Sequence, residues 1–255
     1  MNDLAGAFLG SPVWWYLAWQ DIRQRYRRSV LGPFWLTAST GIMLAAMGPL
    51  YGVLFKQPLN SYFQHLSLSF VVWTFVASAI TESCTAYITA EGFIKEVGLP
   101  YTTHITRVLV RNVIVFGHNL LVVVIVLMVF PPEVWVRCLL AVPGLLLVTI
   151  NLFWIGSILA LVSTRFRDIP QIVVAVVQVA FFLTPVVWKS EMLGDHEGIT
   201  VYNPLYHLVE VVRTPLLGKH PQSISWVVLS VSAIVGPVIA MYVFGRFRSR
   251  IAYWV

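Results

Sequence analysis

Long uncharged stretches separated by short polar breaks set the pattern of this chain. Residues 30–55 and 138–163 carry no charge, 66–90 is interrupted only by Glu82, and 172–188 and 225–245 are again uncharged. Residues 107–130 open with Arg107 and Arg111 and then run apolar from Leu120 to Phe130. A hydrocarbon slab of ~30 Å needs a helix of ~20 mostly apolar residues. The pattern therefore predicts an all-α integral membrane protein whose six transmembrane helices form a single domain over residues 1–255.

Three further segments break the pattern. At about 100° per residue, Trp15, Trp19, Ile22 and Tyr26 share one narrow arc of residues 11–29, while Gln20, Asp21, Arg23, Gln24, Arg25, Arg27 and Arg28 occupy the rest and Trp14 and Leu17 break the pattern. This predicts an N-terminal amphipathic interfacial helix, aromatic toward lipid and basic toward anionic headgroups and water. Residues 91–104 predict one short helix ended by Gly98 and Pro100. In 189–224, Leu205, Leu208, Val209, Val212 and Leu216 recur at helical spacing between Pro204, Pro215 and Pro221. They predict short amphipathic helices that dip back toward the membrane between spans five and six.

Composition narrows the class. Of 255 residues, 58% are hydrophobic and 11% charged, against about 45–50% and about 25% in soluble domains. A soluble enzyme, a disordered chain and a disulfide scaffold are excluded together. The formal charge of +6 would suggest nucleic acid in a soluble domain, but here its placement matters more than its sum. With the N-terminus cytoplasmic, 12 of the 17 basic residues fall on the cytoplasmic side and 5 (Lys56, Arg137, Lys189, Arg213 and Lys219) on the other. The basic residues therefore read as topology, with both termini cytoplasmic and no nucleic-acid partner. The first residues, MNDLAGAFLG, lack the basic n-region of a signal peptide, so the chain is expected to insert through its own helices.

Candidate chemistry is sparse. Cys84 and Cys138 lie in apolar runs and read as small core residues, and no Cys/His spacing suggests a metal. Gly218-Lys219 is followed by His220 and lacks the preceding glycine of a phosphate-binding loop. GxSxG and HExxH are absent. A non-catalytic chain with no cofactor of its own follows, and any ATP and magnesium belong to a partner. Glu82 is the one acid well inside a predicted span. It reads either as a functional ionisable group or as a group hydrogen-bonded near its helix end. His118, Asn119, Asn151 and Gln178 read as cross-helix hydrogen-bonding residues. Gly48 and Gly52 form a GxxxG with Pro49 inside it. Aromatics such as Tyr51, Phe55, Phe181 and Phe182 stack on sugar faces along a passage, pack in the core or face lipid.

Five runs carry a resemblance. They are Asp21-Ile22 with Arg25-Tyr26-Arg27-Arg28-Ser29 and Leu31-Gly32-Pro33-Phe34-Trp35-Leu36; Glu91-Gly92-Phe93-Ile94-Lys95 with Pro100; Arg165-Phe166-Arg167-Asp168-Ile169; Leu183-Thr184-Pro185-Val186-Val187-Trp188; and Asn203-Pro204-Leu205-Tyr206-His207 with Glu210 and Arg213-Thr214-Pro215-Leu216-Leu217-Gly218. In that order, the chain resembles the membrane subunits of ABC-2 type exporters that move lipid-linked polysaccharide such as O-antigen across the bacterial inner membrane.

The resemblance implies a homodimer docked to two copies of a nucleotide-binding subunit. It implies a coupling segment at Glu91, Gly92, Phe93, Ile94, Lys95, Glu96 and Pro100. Arg23, Arg25, Arg27 and Arg28 become candidates for gripping a lipid pyrophosphate, or for lipid anchoring alone. The implied channel makes Trp35, Tyr51, Phe55, Phe181, Phe182 and Trp188 candidate lining residues. Pro204, His207, Glu210 and Arg213 fall in an implied periplasmic gate. Two other readings stay open from the residues: an exporter of capsule or teichoic-acid polymer, and an ion-coupled carrier or channel using Glu82 and His118.

Overall fold

A computed structural model describes residues 13–25, 27, 32 and 34–255. Among these the chain is helical, with eight α-helices: α1 (Val13–Arg25), α2 (Phe34–Leu54), α3 (Leu59–Cys84), α4 (Tyr101–Val129), α5 (Ala141–Arg165), α6 (Ile169–Leu183), α7 (Pro204–Leu216) and α8 (Ser223–Trp254). A π-type turn, Phe93–Val97, precedes α4, and 3-10 turns at Trp135–Leu140 and Ser190–Tyr202 precede α5 and α7.

Five helical stretches are long and apolar enough to cross a membrane: α2, α3, α4, α8 and the run Trp135–Arg165 that contains α5. The remaining expected span, the fifth, 172–188, is α6, which has 15 residues. At ~1.5 Å per residue it reaches only about 22 Å, short of a ~30 Å slab. The chain leaves helical geometry at Thr184 (φ −93°, ψ 137°), ahead of Pro185. The second expected span is displaced too: 66–90 corresponds to a helix that starts at Leu59, after Pro58, and ends at Cys84.

α3 is the hub. Of its most apolar window 67% is buried, against 17% in α2 and α8, although its mean hydropathy, 1.4, is far below the 2.3 of α8. Small and hydroxylated residues explain this. Ser67, Ser69 and Ser83 are fully buried and let neighbours approach closely. A Cβ on Gly156 of α5 would lie 2.6 Å from Ser83 Oγ. The GxxxG serves the same end within the chain, since a Cβ at Gly48 of α2 would lie 2.3 Å from the Phe63 ring of α3.

Polar residues staple the outer helices. Thr40 Oγ1 of α2 donates to Asn119 Oδ1 of α4 at 3.1 Å, and Asn151 Nδ2 of α5 donates to the Leu229 carbonyl of α8 at 3.1 Å. His118 instead bonds its own helix, through Nδ1 to the Ile114 carbonyl at 2.8 Å. Gln178 sits on the exposed face of α6.

Candidate functional site

Functional candidates gather at the two ends of the bundle. One end, the basic end, holds α1, the Phe93–Val97 turn and the last turns of α8. The far end holds α7.

At the basic end α1 packs on α4; of Trp15, Trp19 and Ile22 in the expected lipid-facing arc, Ile22 alone is buried. Leu17, Ala18 and Ile22 are its buried residues, whereas Trp15 and Trp19 are exposed. Asp21, grouped in sequence with the polar remainder, turns inward. Arg107 of α4 takes both oxygens of Asp21, through Nε at 2.8 Å and through Nη2. Arg111 Nη1 joins Asp21 at 2.8 Å, while its Nη2 holds Glu82 Oε2 of α3 at 2.8 Å. Asn112 Nδ2 donates to the same Glu82 oxygen at 2.8 Å. Glu82 thus belongs to a charge network joining three helices. Burying these ions is tolerable because each meets an opposite charge and further donors.

Sequence reasoning missed Asp21, Arg107 and Arg111 as a unit. The available signal was one acid in a basic helix, together with two arginines four residues apart opening an apolar span. Arg23 and Arg27 point away from that network and line a 290 Å³ groove with Tyr16, Trp19, Gln20 and Gln24. Arg28 and the side chain of Arg25 lie outside the described residues.

The expected coupling segment is the turn Phe93–Val97, ended by Gly98 in the left-handed region (φ +66°), whose N–H donates to the Phe93 carbonyl. Pro100 then opens α4. Ile94 is buried, whereas Glu91, Gly92, Phe93, Lys95 and Glu96 are exposed. The segment is therefore a projecting knob on one apolar anchor. Lys95 Nζ pairs with Glu91 Oε1 at 2.6 Å and donates to the Val255 carbonyl at 3.0 Å. The Lys95 contact holds the Glu91 carboxyl below its ordinary value. Arg167 Nη2 reaches the Trp254 carbonyl at 3.2 Å, and Arg165 lies 5.4 Å over the Trp254 ring. The end of α8 thus closes over the knob's base.

At the far end, Asn203 caps α7 by accepting from the Leu205 N–H at 2.9 Å, and Pro204 fits the first turn, where its missing N–H costs nothing. α7 is the short amphipathic helix expected, but its polar face is covered as well as its apolar one. Every residue from Tyr206 to Pro215 is buried, including His207, Glu210 and Arg213, because α7 packs against α3, α5 and α8 at once. Arg213 pairs with Glu210 through Nη2 and donates through Nη1 to the Pro185 carbonyl at 2.6 Å and to Ser69 Oγ at 3.3 Å. His207 Nδ1 lies 2.9 Å from Ser225 Oγ, and its Nε2 donates to the Val201 carbonyl at 2.9 Å.

Above this pair lies a 480 Å³ cavity lined by Gln57, Gln64, Lys189, Glu191, Tyr206 and Arg213 among others. Burial lowers the Lys189 ammonium below its ordinary value. It also raises the Tyr206 hydroxyl to about 12.

The expected lining aromatics fall into separate groups. Tyr51 and Phe55 stack at 5.8 Å, and Phe55 tilts against Tyr62 at 6.1 Å; Tyr62 OH donates to the Val187 carbonyl at 2.7 Å. Phe181 packs on Trp73 at 5.8 Å and on Phe182 at 5.3 Å. Phe182 is 73% exposed, and Trp188 Nε1 donates to its carbonyl at 2.9 Å. Trp35 lies exposed at the opposite end of α2.

Comparisons with known proteins bear on what these parts serve. A family described as ABC-2 type transporter matches residues 12–217, from α1 to the end of α7. Two O-antigen export system permease proteins of Klebsiella pneumoniae are each 23% identical, over 245 and 243 residues, with 91% of both chains covered. An O-antigen export system permease protein of Myxococcus xanthus is 23% identical over 197 residues, covering 76% of this chain and 75% of its own.

Proposed function

Because the chain belongs to the ABC-2 type transporter family, we propose that it is the permease subunit of an ATP-driven exporter that moves undecaprenyl-pyrophosphate-linked O-antigen polysaccharide across the bacterial inner membrane. In this reading both termini are cytoplasmic and the basic end faces the cytoplasm. The match over most of their length to permeases of O-antigen export systems supports the cargo.

The observation that carries the reading is the exposed Phe93–Val97 knob, anchored by buried Ile94, by Arg107 over the Phe93 ring and by the end of α8. A rigid projection of this kind suits the groove of a separate nucleotide-binding subunit. ATP-driven closure of two such subunits then moves the knob, and with it α3 and α4. ATP and magnesium are held by those partners.

A homodimer accounts for the open faces of the bundle. α6 exposes Ile172, Val176, Val179 and Phe182, and α2 exposes Ile42, Leu50 and Val53. Paired subunits would enclose a passage beside these faces, with Tyr51, Phe55, Phe181, Phe182, Trp188 and Trp35 as rings for sugar C–H faces. α6, continued by Thr184–Trp188, serves as the fifth of six spans, and residues 189–224 serve as a re-entrant external gate whose residues include Pro204, His207, Glu210 and Arg213. Arg23 and Arg27, with Arg25 and Arg28, hold the lipid pyrophosphate at the interfacial helix, where guanidinium forks match phosphate oxygens.

Affinity purification of the tagged chain in mild detergent tests the class, and a co-purifying ATPase is expected. The glycolipid retained inside a deletion strain tests the cargo. Purification without any ATPase, with transport driven by a proton gradient, refutes the reading.

A further inference from the structure

Where α1, α3 and α4 meet at the basic end, a cavity of 370 Å³ remains, within the ~300–1,000 Å³ range of small-ligand sites. α4 contributes His104, Arg107 and Arg111, which share one face at i, i+3 and i+7. α1 contributes Asp21 and α3 contributes Glu82. Two polar groups of the lining lack hydrogen-bond partners, although the His104 ring packs edge-on against Tyr87. His104 is 1% exposed, yet neither ring nitrogen has a hydrogen-bond partner, and Arg111 Nε is buried and equally unpartnered. Buried donors left unmade are costly and ask for an occupant. The threonines lining the cavity do not answer them, since Thr85 and Thr89 donate to backbone carbonyls of their own segment.

The chemistry of the occupant follows from the arginines. Arg107 takes both oxygens of Asp21 side-on, and Arg111 adds a third contact. That fork holds two oxygens of a phosphate equally well. Asp21 arrives on α1, which touches the bundle along one face only and leaves Tyr16, Trp19 and Gln20 exposed. With Asp21 in place, two guanidinium groups face two carboxylates; with Asp21 withdrawn, one positive charge is in excess.

We infer that this cavity is a binding site for a phosphate-type anion, with the Asp21 carboxylate as its resident surrogate. In the occupied state Arg107, Arg111 and His104 hold the anion oxygens and Asp21 is displaced. Glu82 and Asn112 keep Arg111 in position. The anion is either a phosphorylated lipid headgroup or free phosphate or pyrophosphate, and the site is independent of which polymer the protein exports.

The test uses the full chain in phosphatidylcholine nanodiscs. One arm titrates inorganic pyrophosphate by calorimetry. The other measures enrichment of phosphatidic acid by the protein from mixed phosphatidylcholine and phosphatidic acid vesicles. Binding of at least one probe is expected, and the arm that responds names the source. Asp21→Asn removes the competing carboxylate and is expected to tighten binding about tenfold, whereas Arg107→Gln and His104→Leu weaken it by about tenfold or more, the scale of one charge-assisted hydrogen bond. His104→Leu removes an unsatisfied buried group, so it is expected to fold at least as well as the parent. No binding of either probe by the parent and Asp21→Asn overturns the inference. So does equal affinity in a folded His104→Leu variant, or no gain in Asp21→Asn.

Discussion

Arg213 Nη1 donates to the Pro185 carbonyl at 2.6 Å, so a buried guanidinium on α7 holds the extended exit of α6. Glu210 neutralises it one turn away. Removing one partner of a buried pair strands the other charge. Arg213→Met is expected to destabilise the protein by about 3–5 kcal/mol, and Glu210→Met comparably. The double variant, left with no stranded charge, recovers much of the loss. Thermal unfolding of the three variants in detergent measures this; a double variant as unstable as the sum of the singles refutes the pairing.

The knob makes the opposite prediction. Lys95 and Glu91 are exposed, where ion pairs add little to stability. Lys95→Ala is expected to leave the melting temperature unchanged and to lower export and ATPase activity of the assembled complex. Full export with normal assembly removes Lys95 from coupling. The Glu91 carboxyl is depressed by Lys95, so the contact is complete at neutral pH and is lost as pH falls through the depressed value.

Close approach of α2 to α3 rests on Gly48, where an added Cβ would lie 2.3 Å from Phe63. Gly48→Ala is expected to cost about 1–3 kcal/mol, the range for overpacking. Gly92→Ala, in open space, is the control. If Gly48→Ala alters only subunit association and leaves the protomer's melting temperature intact, the packing account fails.

Tyr206 carries an alkaline signature. Burial raises its hydroxyl from 10.0 to about 12, so the folded state keeps it neutral where the unfolded chain would ionise. Its contribution is complete below pH 10 and is lost as pH rises toward about 12. Melting temperature is expected to fall over that interval, and Tyr206→Phe flattens the fall. An unchanged slope in Tyr206→Phe assigns the alkaline loss to other groups.

Much of the helical layout was legible because its causes are local. An apolar slab dictates the length and composition of each span, and Gly98, Pro100 and Pro204 punctuate the chain through their own backbone chemistry. The site residues were legible only in part. Glu210 and Arg213 were visible as residues of the implied gate, but the three neighbouring helices that bury them around α7 were not. Tyr51 and Phe181 were visible as aromatics, while their ring partners, Phe55 and Trp73, depended on packing.

By itself the sequence determined a helical membrane body, the clustering of basic residues at one end, and the knob with its stop signals. Each follows from interactions within a few residues, or from the solvent a segment must face. Tertiary structure alone decided that Asp21 meets Arg107, 86 residues away, that Glu82 is held by Arg111 and Asn112, and that His104 is sealed without a partner. Charges in a low-dielectric interior must find opposite charges wherever the helices bring them. That choice is made by packing between helices, which sequence spacing does not record.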